Sequence, residues 1–369
     1  MKILAIDTSC DETAAAVTEG RKVLSNVIYS QVLVHKSWGG VVPSLAKRAH
    51  EERIDYVVSE AVRKAFRVEN FSPSELASLK EEAQTSTRIQ NFQHFFSQID
   101  VIAVTQGPGL AIALEVGIQK AKELAEKYKK PLIAVNHMEG HIYSSFVQNS
   151  KGNPSYDFEF PYLALLVSGS HTELVLFKDH ISYEVIGKSV DDAGGEAIDK
   201  AARMIGFGYP GGPTLERLAL DVKNKDFYKF PRPMSHSGDL NFSFSGLKTS
   251  FFYYIRKLSE EEKNKNLKEL ASSYQEAVFD CLIIKTEKAM KQTGIKKLVV
   301  GGGVIANKRL RNLLRALVKK YNGSVLFPPY PYLTGDNAAM IGVAAHFKAE
   351  KKMYMQDLST LDRIPRLSL

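Results

Sequence analysis

Apolar and polar positions follow two periods along this chain, and the switch between them recurs from end to end. Short apolar runs bounded by Gly, Asn or charged turns predict strands: "KILAID" (2–7), "AAAVTE" (14–19), "KVLSNVIYS" (22–30), "DVIAVT" (100–105) and "LIAVN" (132–136). A second series follows in "YLALLVSG" (162–169), "TELVLFK" (172–178), "SYEVIG" (182–187), "KLVVGGG" (297–303) and "SVLFPP" (324–329). Between them the 3.6-residue period predicts helices at 43–66, 112–129, 137–148, 196–206, 213–222, 245–258, 264–293, 307–321 and 336–350. Strands alternating with helices argue α/β layers over a sheet.

The pattern repeats itself. With Leu4 set on Leu163, each half reads strand, small polar turn, strand, charged turn, strand; Ser9 falls on Ser168 and Thr13 on Thr172. "VIAVTQGPG" (101–109) resembles "LVVGGG" (298–303), and each precedes a predicted helix. A generic α/β pattern can produce such a match, but two tandem units suggest two similar lobes with a central cleft. The expected division is an N-terminal lobe over 1–150, a C-terminal lobe over 151–350 and a tail over 351–369. Glycine-rich turns between strand and helix place backbone N–H groups where phosphate oxygens can sit. Residues 67–99 break the pattern; "SPSEL" offers Ser72 as cap, Pro73 at the first helical position and Glu75 reaching back, which predicts an inserted surface helix.

Composition narrows the class. The 369 residues suit two domains, and 44% hydrophobic with 24% charged residues describes a soluble globular protein. No run approaches the ~20 apolar residues of a membrane span. The N-terminus enters a strand pattern at once, without signal or transit features, and Cys10 and Cys281 make neither a disulfide framework nor a cysteine metal site. The expected location is the cytoplasm. A net charge of +8 is compatible with a nucleic-acid partner. The predicted helix 307–321 carries Arg309, Arg311, Arg315, Lys319 and Lys320, which read either as part of such a surface or as a solvated amphipathic face.

The stretch "NHMEGHIYSS" (136–145) sets His137 and His141 four residues apart. On a helix these project from one face about 5–6 Å apart, a sound bidentate metal arrangement. A zinc peptidase would carry glutamate at the second position of H-E-x-x-H. Here Glu139 stands at the third, about 200° of helix from His137, so it points off the metal face and the peptidase reading fails. Two ordinary core or surface histidines remain the alternative to a metal pair.

Further motifs decide the matter by resemblance. "IDTSCDETAAAV" (6–17), "GGVVPSLAKRAHEER" (39–53), "TQGPGL" (105–110), "NHMEGH", "LLVSGSHTEL" (165–174), "DDAGGEAIDKAARMIGFGYPGGPTLERLA" (191–219), "FSFSGLKT" (242–249), "GGGVIANKRLR" (301–311) and "TGDNAAMIG" (334–342) run in order over nearly the whole chain. Together they resemble the tRNA N6-adenosine threonylcarbamoyltransferases of the bacterial TsaD type, formerly described as glycoproteases.

The resemblance implies the duplicated actin-like, ribonuclease-H-like (ASKHA) α/β fold and a metal-dependent acyltransferase. It implies transfer of threonylcarbamoyl from threonylcarbamoyl-adenylate to N6 of the adenosine beside the anticodon, in tRNAs that read codons beginning with A. One iron or zinc ion would be held by His137, His141 and Asp336, although an aspartate at a helix start is also an ordinary N-cap. Asp11 is the better base or orienting candidate, with Glu12 beside it; an ordinary hairpin-turn acid is the alternative. Leu166, Val167, Ser168, Gly169 and Ser170 would bring backbone N–H groups to the donor, Asp199 would accept from ribose hydroxyls, Gly212 would permit close approach of the nucleoside, and Asn307 would contact the adenine nucleotide, whether adenylate donor, ATP or ADP. The implied partners are tRNA, a paralogous subunit and a small ATPase, supplied by an upstream enzyme that makes the adenylate; no membrane is involved. The alternative is an ATPase-like scaffold without transferase chemistry. Ser170 replaces the second glycine of the usual pair, Glu115 stands where an apolar or basic residue is common, and Gly335 where a hydroxyl residue is common.

Overall fold

A computed structural model describes residues 1–36, 38–67, 94–156 and 159–369. The chain forms two compact units, Met1–Asp157 with Pro328–Leu369, and Phe158–Phe327. The expected cap at Ser72, Pro73 and Glu75, and most of the 67–99 insertion, lie outside the described residues.

The first unit opens with β1 (Lys2–Asp7), β2 (Glu12–Glu19) and β3 (Lys22–Ser30). Residues Ile3 to Asp7 of β1 are all buried, as expected of a central strand covered on both faces, which reads as a continuous apolar run. Glu19 pairs with Lys22, so a two-residue turn joins β2 to β3, and Gly20 supplies the positive φ (61°) that such a turn demands. Helix α1 (Pro43–Ala65) begins with Pro at its first turn and buries Ile54, Val57, Val58, Ala61 and Val62. After it come β4 (Val101–Gly107), α2 (Ala111–Tyr128), β5 (Leu132–Asn136) and α3 (His137–Tyr143). The sheet order is β3-β2-β1-β4-β5, antiparallel among the first three strands and parallel from β1 to β4 to β5.

The second unit repeats that plan with β6 (Tyr162–Val167), β7 (Thr172–Asp179), β8 (Ser182–Lys188), β9 (Lys297–Gly301) and β10 (Ser324–Leu326). Its order is β10-β9-β6-β7-β8, with β6 antiparallel to β7 and parallel to β9. The internal repeat holds residue by residue. Setting Leu4 on Leu163 places Val17 on Leu176, and Leu4 pairs across its hairpin with Val17 as Leu163 does with Leu176. Five longer helices belong here: α4 (Gly194–Met204), α5 (Gly212–Asp221), α6 (Ser245–Arg256), α7 (Leu267–Thr293) and α8 (Lys308–Lys320). The core gathers Leu163, Leu165, Val167 and Leu298 from the sheet with Phe251, Tyr274 and Phe279 from the helices.

The chain then returns to the first unit with α9 (Ala338–Glu350). Here the structure differs from the division expected from chain order, which put 328–350 in the second lobe and 351–369 outside both. Helix α9 is buried from Ala338 to Ala345 and packs on β1, β2, β5 and α3. Small residues allow the approach, since a Cβ on Gly342 would stand 2.6 Å from Thr18 Oγ1. The tail is laced to the same sheet: Met355 N–H donates to Leu132 O (2.8 Å) and Ile364 N–H to Gln106 O (2.9 Å). Leu361 is buried among the first unit's apolar residues, a burial worth about 1.5–3 kcal/mol. None of the described helices is long and apolar enough to cross a membrane.

Candidate metal centre

Strand β5 runs straight into α3, and Asn136 makes the join. Its Oδ1 accepts from Met138 N–H (2.8 Å) and caps the helix, while its Nδ2 donates to Ser368 O in the tail (2.9 Å). His137 and His141 then lie one turn apart, buried, with ring centroids 4.6 Å from each other. Asp336 comes from the turn before α9. The N-cap role there belongs to its neighbour, since Asn337 Oδ1 accepts from Met340 N–H (3.0 Å), so Asp336 is available as a ligand. Its Oδ1 lies 3.3 Å from His137 Nε2 and 3.2 Å from His141 Nε2. The three donor atoms fall within 4.8 Å of one another, the sole such group of His, Cys, Asp or Glu among the described residues. The Asp336 side chain keeps 21% exposure, which leaves one approach open.

Asp7, at the end of β1, is the functional residue that the sequence reading missed. It is fully buried, and its Oδ1 lies 3.5 Å from His137 Nδ1. Burial opposes a charge on His137, but Asp7 and Asp336 outweigh it and raise the imidazole well above its ordinary range. Burial lowers His141, with Asp336 only partly compensating. Burial would raise Asp336, yet the two imidazoles hold it well below the usual carboxylate range. His137 Nδ1, His141 Nδ1 and Asp7 Oδ2 are each buried without a hydrogen-bond partner. A metal-binding histidine ordinarily presents one nitrogen to the ion and the other to an oxygen; at His137 the oxygen on the Nδ1 side is Asp7 Oδ1, at ion-pair rather than hydrogen-bond geometry. The donor set, two imidazoles and one carboxylate with an open side, fits a three-ligand site for zinc or iron.

Glu139 takes no part. It is buried and forms an ion pair with Lys348 of α9 (3.0 Å, side chains 3% and 12% exposed), in line with the peptidase reading failing on helix geometry.

The turn between β1 and β2 carries Asp11, and Glu12 opens β2, in this same unit. Thr8 ties the turn down, its Oγ1 donating to Ala113 O (2.8 Å) and accepting from Gly117 N–H (3.2 Å). Asp11 is 4% exposed. Glu12 accepts from Ser30 Oγ (3.1 Å), and burial, with Asp336 and Asp11 adding repulsion, pushes its carboxyl up to about 10.

In the second unit a cavity of about 250 Å³ is lined by Gly169, Asp199, Gly212 and Asn307, and by Gly195, Tyr209 and Glu216, which the sequence reading had not singled out. Leu166 and Val167 do not line it; both are fully buried in β6. Ser168 turns inward, its Oγ accepting from the N–H groups of Ser170 (3.4 Å) and His171 (3.1 Å). Ser170 has no left-handed backbone, so replacing glycine there costs no strain, and its Oγ meets His171 Nδ1 (2.9 Å). Asp199 braces the glycine turn, Oδ1 accepting from Gly211 N–H (2.8 Å) and Gly212 N–H (3.3 Å); burial raises its carboxyl while these amides pull it down. Asn307 lines the cavity, but its Oδ1 caps α8 and its Nδ2 donates to Gln275. The two glycines of the turn differ. A Cβ on Gly211 would stand 2.4 Å from Ala202 Cβ, whereas one on Gly212 meets nothing nearer than 3.9 Å. Packing requires the first, whereas the side of the second is open.

Of the expected basic surface, Arg309 is bonded to Glu276 (2.6 Å), Arg311 and Arg315 lie over the Phe327 ring (4.7 and 5.0 Å), and Lys320 pairs with Glu287 (2.7 Å). These contacts favour the amphipathic-face reading of α8. Glu115 faces Arg363 of the tail (3.5 Å), and a Cβ on Gly335 would meet nothing within 4 Å, so neither departure is forced by packing.

Residues 22–78 and 87–343 match the family profile described as tRNA N6-adenosine threonylcarbamoyltransferase. A protein of that name from Kosmotoga olearia is 43% identical, the match covering 100% of this chain and 99% of the relative. One from Clostridium kluyveri is 44% identical over 100% and 98%. Among solved structures, full-length HypF in a phosphate- and nucleotide-bound form aligns with 96% of this chain and 56% of its own, at a TM-score of 0.54 and 15% identity, a likeness of fold alone.

Lys348→Met removes one ion-pair partner from the buried Glu139 carboxylate and should lower the unfolding free energy, by at most about 3–5 kcal/mol. Adding Glu139→Gln should restore most of the loss. Urea denaturation of the single and double variants checks this, and a neutral Lys348→Met would contradict it.

Proposed function

The chain belongs to the tRNA N6-adenosine threonylcarbamoyltransferase family, and on that premise we propose that it moves a threonylcarbamoyl group from threonylcarbamoyl-adenylate to N6 of the adenosine beside the anticodon, in tRNAs reading codons that begin with A. The observation that carries this reading is the convergence of His137, His141 and Asp336 in the unit that also carries Asp11. A nucleotide-binding scaffold has no use for such a cluster.

When bound by His137, His141 and Asp336, an iron or zinc ion would supply a Lewis acid for oxygens of the acyl donor. Asp7 faces Nδ1 of His137, and Asn136 fixes the start of the helix that presents both imidazoles. The adenine N6 amine is a weak nucleophile because its lone pair is delocalised into the ring, so it must lose a proton as it attacks the carbonyl carbon. Asp11 would take that proton. The adenylate phosphate leaves with the electrons of the broken anhydride bond. In the second unit, Asp199 and the open side of Gly212 are where the nucleoside would rest. As in its relatives by resemblance, the protein would act in the cytoplasm with a paralogous subunit and a small ATPase.

Two variants separate these roles. Asp11→Asn keeps size but loses basicity; it should cut transfer to unmodified tRNA by ~10²–10⁴-fold, the range of a lost general base, with nucleotide affinity intact. Near-normal transfer would remove Asp11 from the mechanism. Asp199→Ala also releases the Gly211–Gly212 turn, so the cleaner probe of the pocket is Gly212→Val. It should keep the fold and weaken adenine-nucleotide binding about tenfold or more, ~1.4 kcal/mol. Unchanged affinity by calorimetry would place the nucleotide elsewhere.

A further inference from the structure

A line of buried polar groups in the first unit leads from the loop before α1 to the turn that holds Asp11. His35, His50 and Gln31 are all fully buried, and the sense of each hydrogen bond among them is fixed. His50 Nε2 lies 3.1 Å from the Cys10 carbonyl oxygen, which can only accept, so Nε2 carries the proton. Nδ1 of the neutral ring then accepts, from Thr13 Oγ1 at 2.7 Å and Gln31 Nε2 at 3.2 Å. The Gln31 amide is oriented independently, because its Nε2 also faces the Ala46 carbonyl oxygen at 3.4 Å. Its Oε1 accepts from His35 Nε2 at 3.1 Å, and His35 Nδ1 accepts from the Val42 N–H at 3.4 Å. No donor faces a donor anywhere along the line. Burial also lowers the His50 imidazole, in keeping with a neutral ring.

The line ends on both peptides that flank Asp11. The Cys10 carbonyl shares a rigid plane with the Asp11 nitrogen, and His50 holds that carbonyl. The Asp11 carbonyl on the other side accepts from the Gln31 N–H at 2.8 Å. Gln31 thus grips one peptide with its backbone and, through His50, the other with its side chain.

We propose that His50 is a positioning residue for the transfer reaction: by donating to the Cys10 carbonyl it sets the direction in which Asp11 leaves the turn, with Gln31 and His35 holding the ring in the required tautomer. The inference rests on the functional reading above. A displaced base costs rate more than binding, since ~1 Å of misplacement can cost ~10² in rate.

His50→Leu removes the donor, whereas His50→Gln keeps an amide N–H near the position of Nε2. With partners supplied and substrates saturating, kcat for transfer should fall ~10–100-fold in His50→Leu. The KM for tRNA and the adenine-nucleotide affinity should stay within about twofold of wild type, and His50→Gln should recover most of the rate. Equal rates in the two variants, or a loss confined to KM, would overturn the proposal. Should His50→Leu fail to fold, ring-nitrogen NMR shifts of the wild type decide: neutral Nε2–H rings at both His35 and His50 are expected, and a cationic or Nδ1–H ring at neutral pH overturns it. A wild type that transfers nothing would sink the functional reading, and the same ring shifts would still judge the wiring.

Discussion

Two imidazoles and a carboxylate cannot be buried within a few ångströms of one another unless a charge arrangement holds them there, because taking ionisable groups out of water is expensive. The first unit is built around that requirement. Its three donors come from distant parts of the chain: His137 and His141 from α3, and Asp336 from the turn that precedes α9. They meet because the chain leaves the first unit, completes the second and returns. A Cβ on Gly140 would stand 2.8 Å from Ile341 Cδ1, so the glycine between the two histidines lies directly under the side chains of α9. The Lys348–Glu139 ion pair joins the same two helices on another side.

Around the donors lie the groups that aim them. Asp7 ends the first strand and faces His137; Asn136 caps α3 and is itself held by Ser368 of the tail. The Asp11 turn is gripped from below by the Gln31–His50 pair. Preorganisation of this kind makes a chemical step fast without reorganisation during reaction. In the second unit the same economy shows in one turn, where Asp199 supports the backbone of Gly211 and Gly212 and leaves the space over Gly212 clear.

Much of this was legible in residue order. The strands followed from apolar runs of the right length, and the repeat predicted two similar lobes, whose first hairpins share one register. His137 and His141 declared themselves by spacing, and Asp336 entered by resemblance. What stayed hidden has physical reasons. The return of α9 leaves no local mark, since an apolar helix packs equally well on either sheet. Asp7 reads as the last residue of a strand, and only its burial against His137 gives it a role. Leu166 and Val167 sit in a motif associated with nucleotide, but both are buried residues of β6, a strand paired on both sides within its sheet. The helix predicted at 264–293 is two, Glu260–Lys265 and α7, because a Ser259–Glu262 capping box starts the first and Asn266 ends it.

The central claim is that the buried His–His–Asp cluster holds one transition metal. Elemental analysis of the purified wild type and of His141→Ala, with circular dichroism to confirm that both are folded, tests it most directly. About one iron or zinc per chain in the wild type, falling to near zero in the variant, is the result expected of a three-ligand open site. Equal metal content in the two folded proteins would contradict the account.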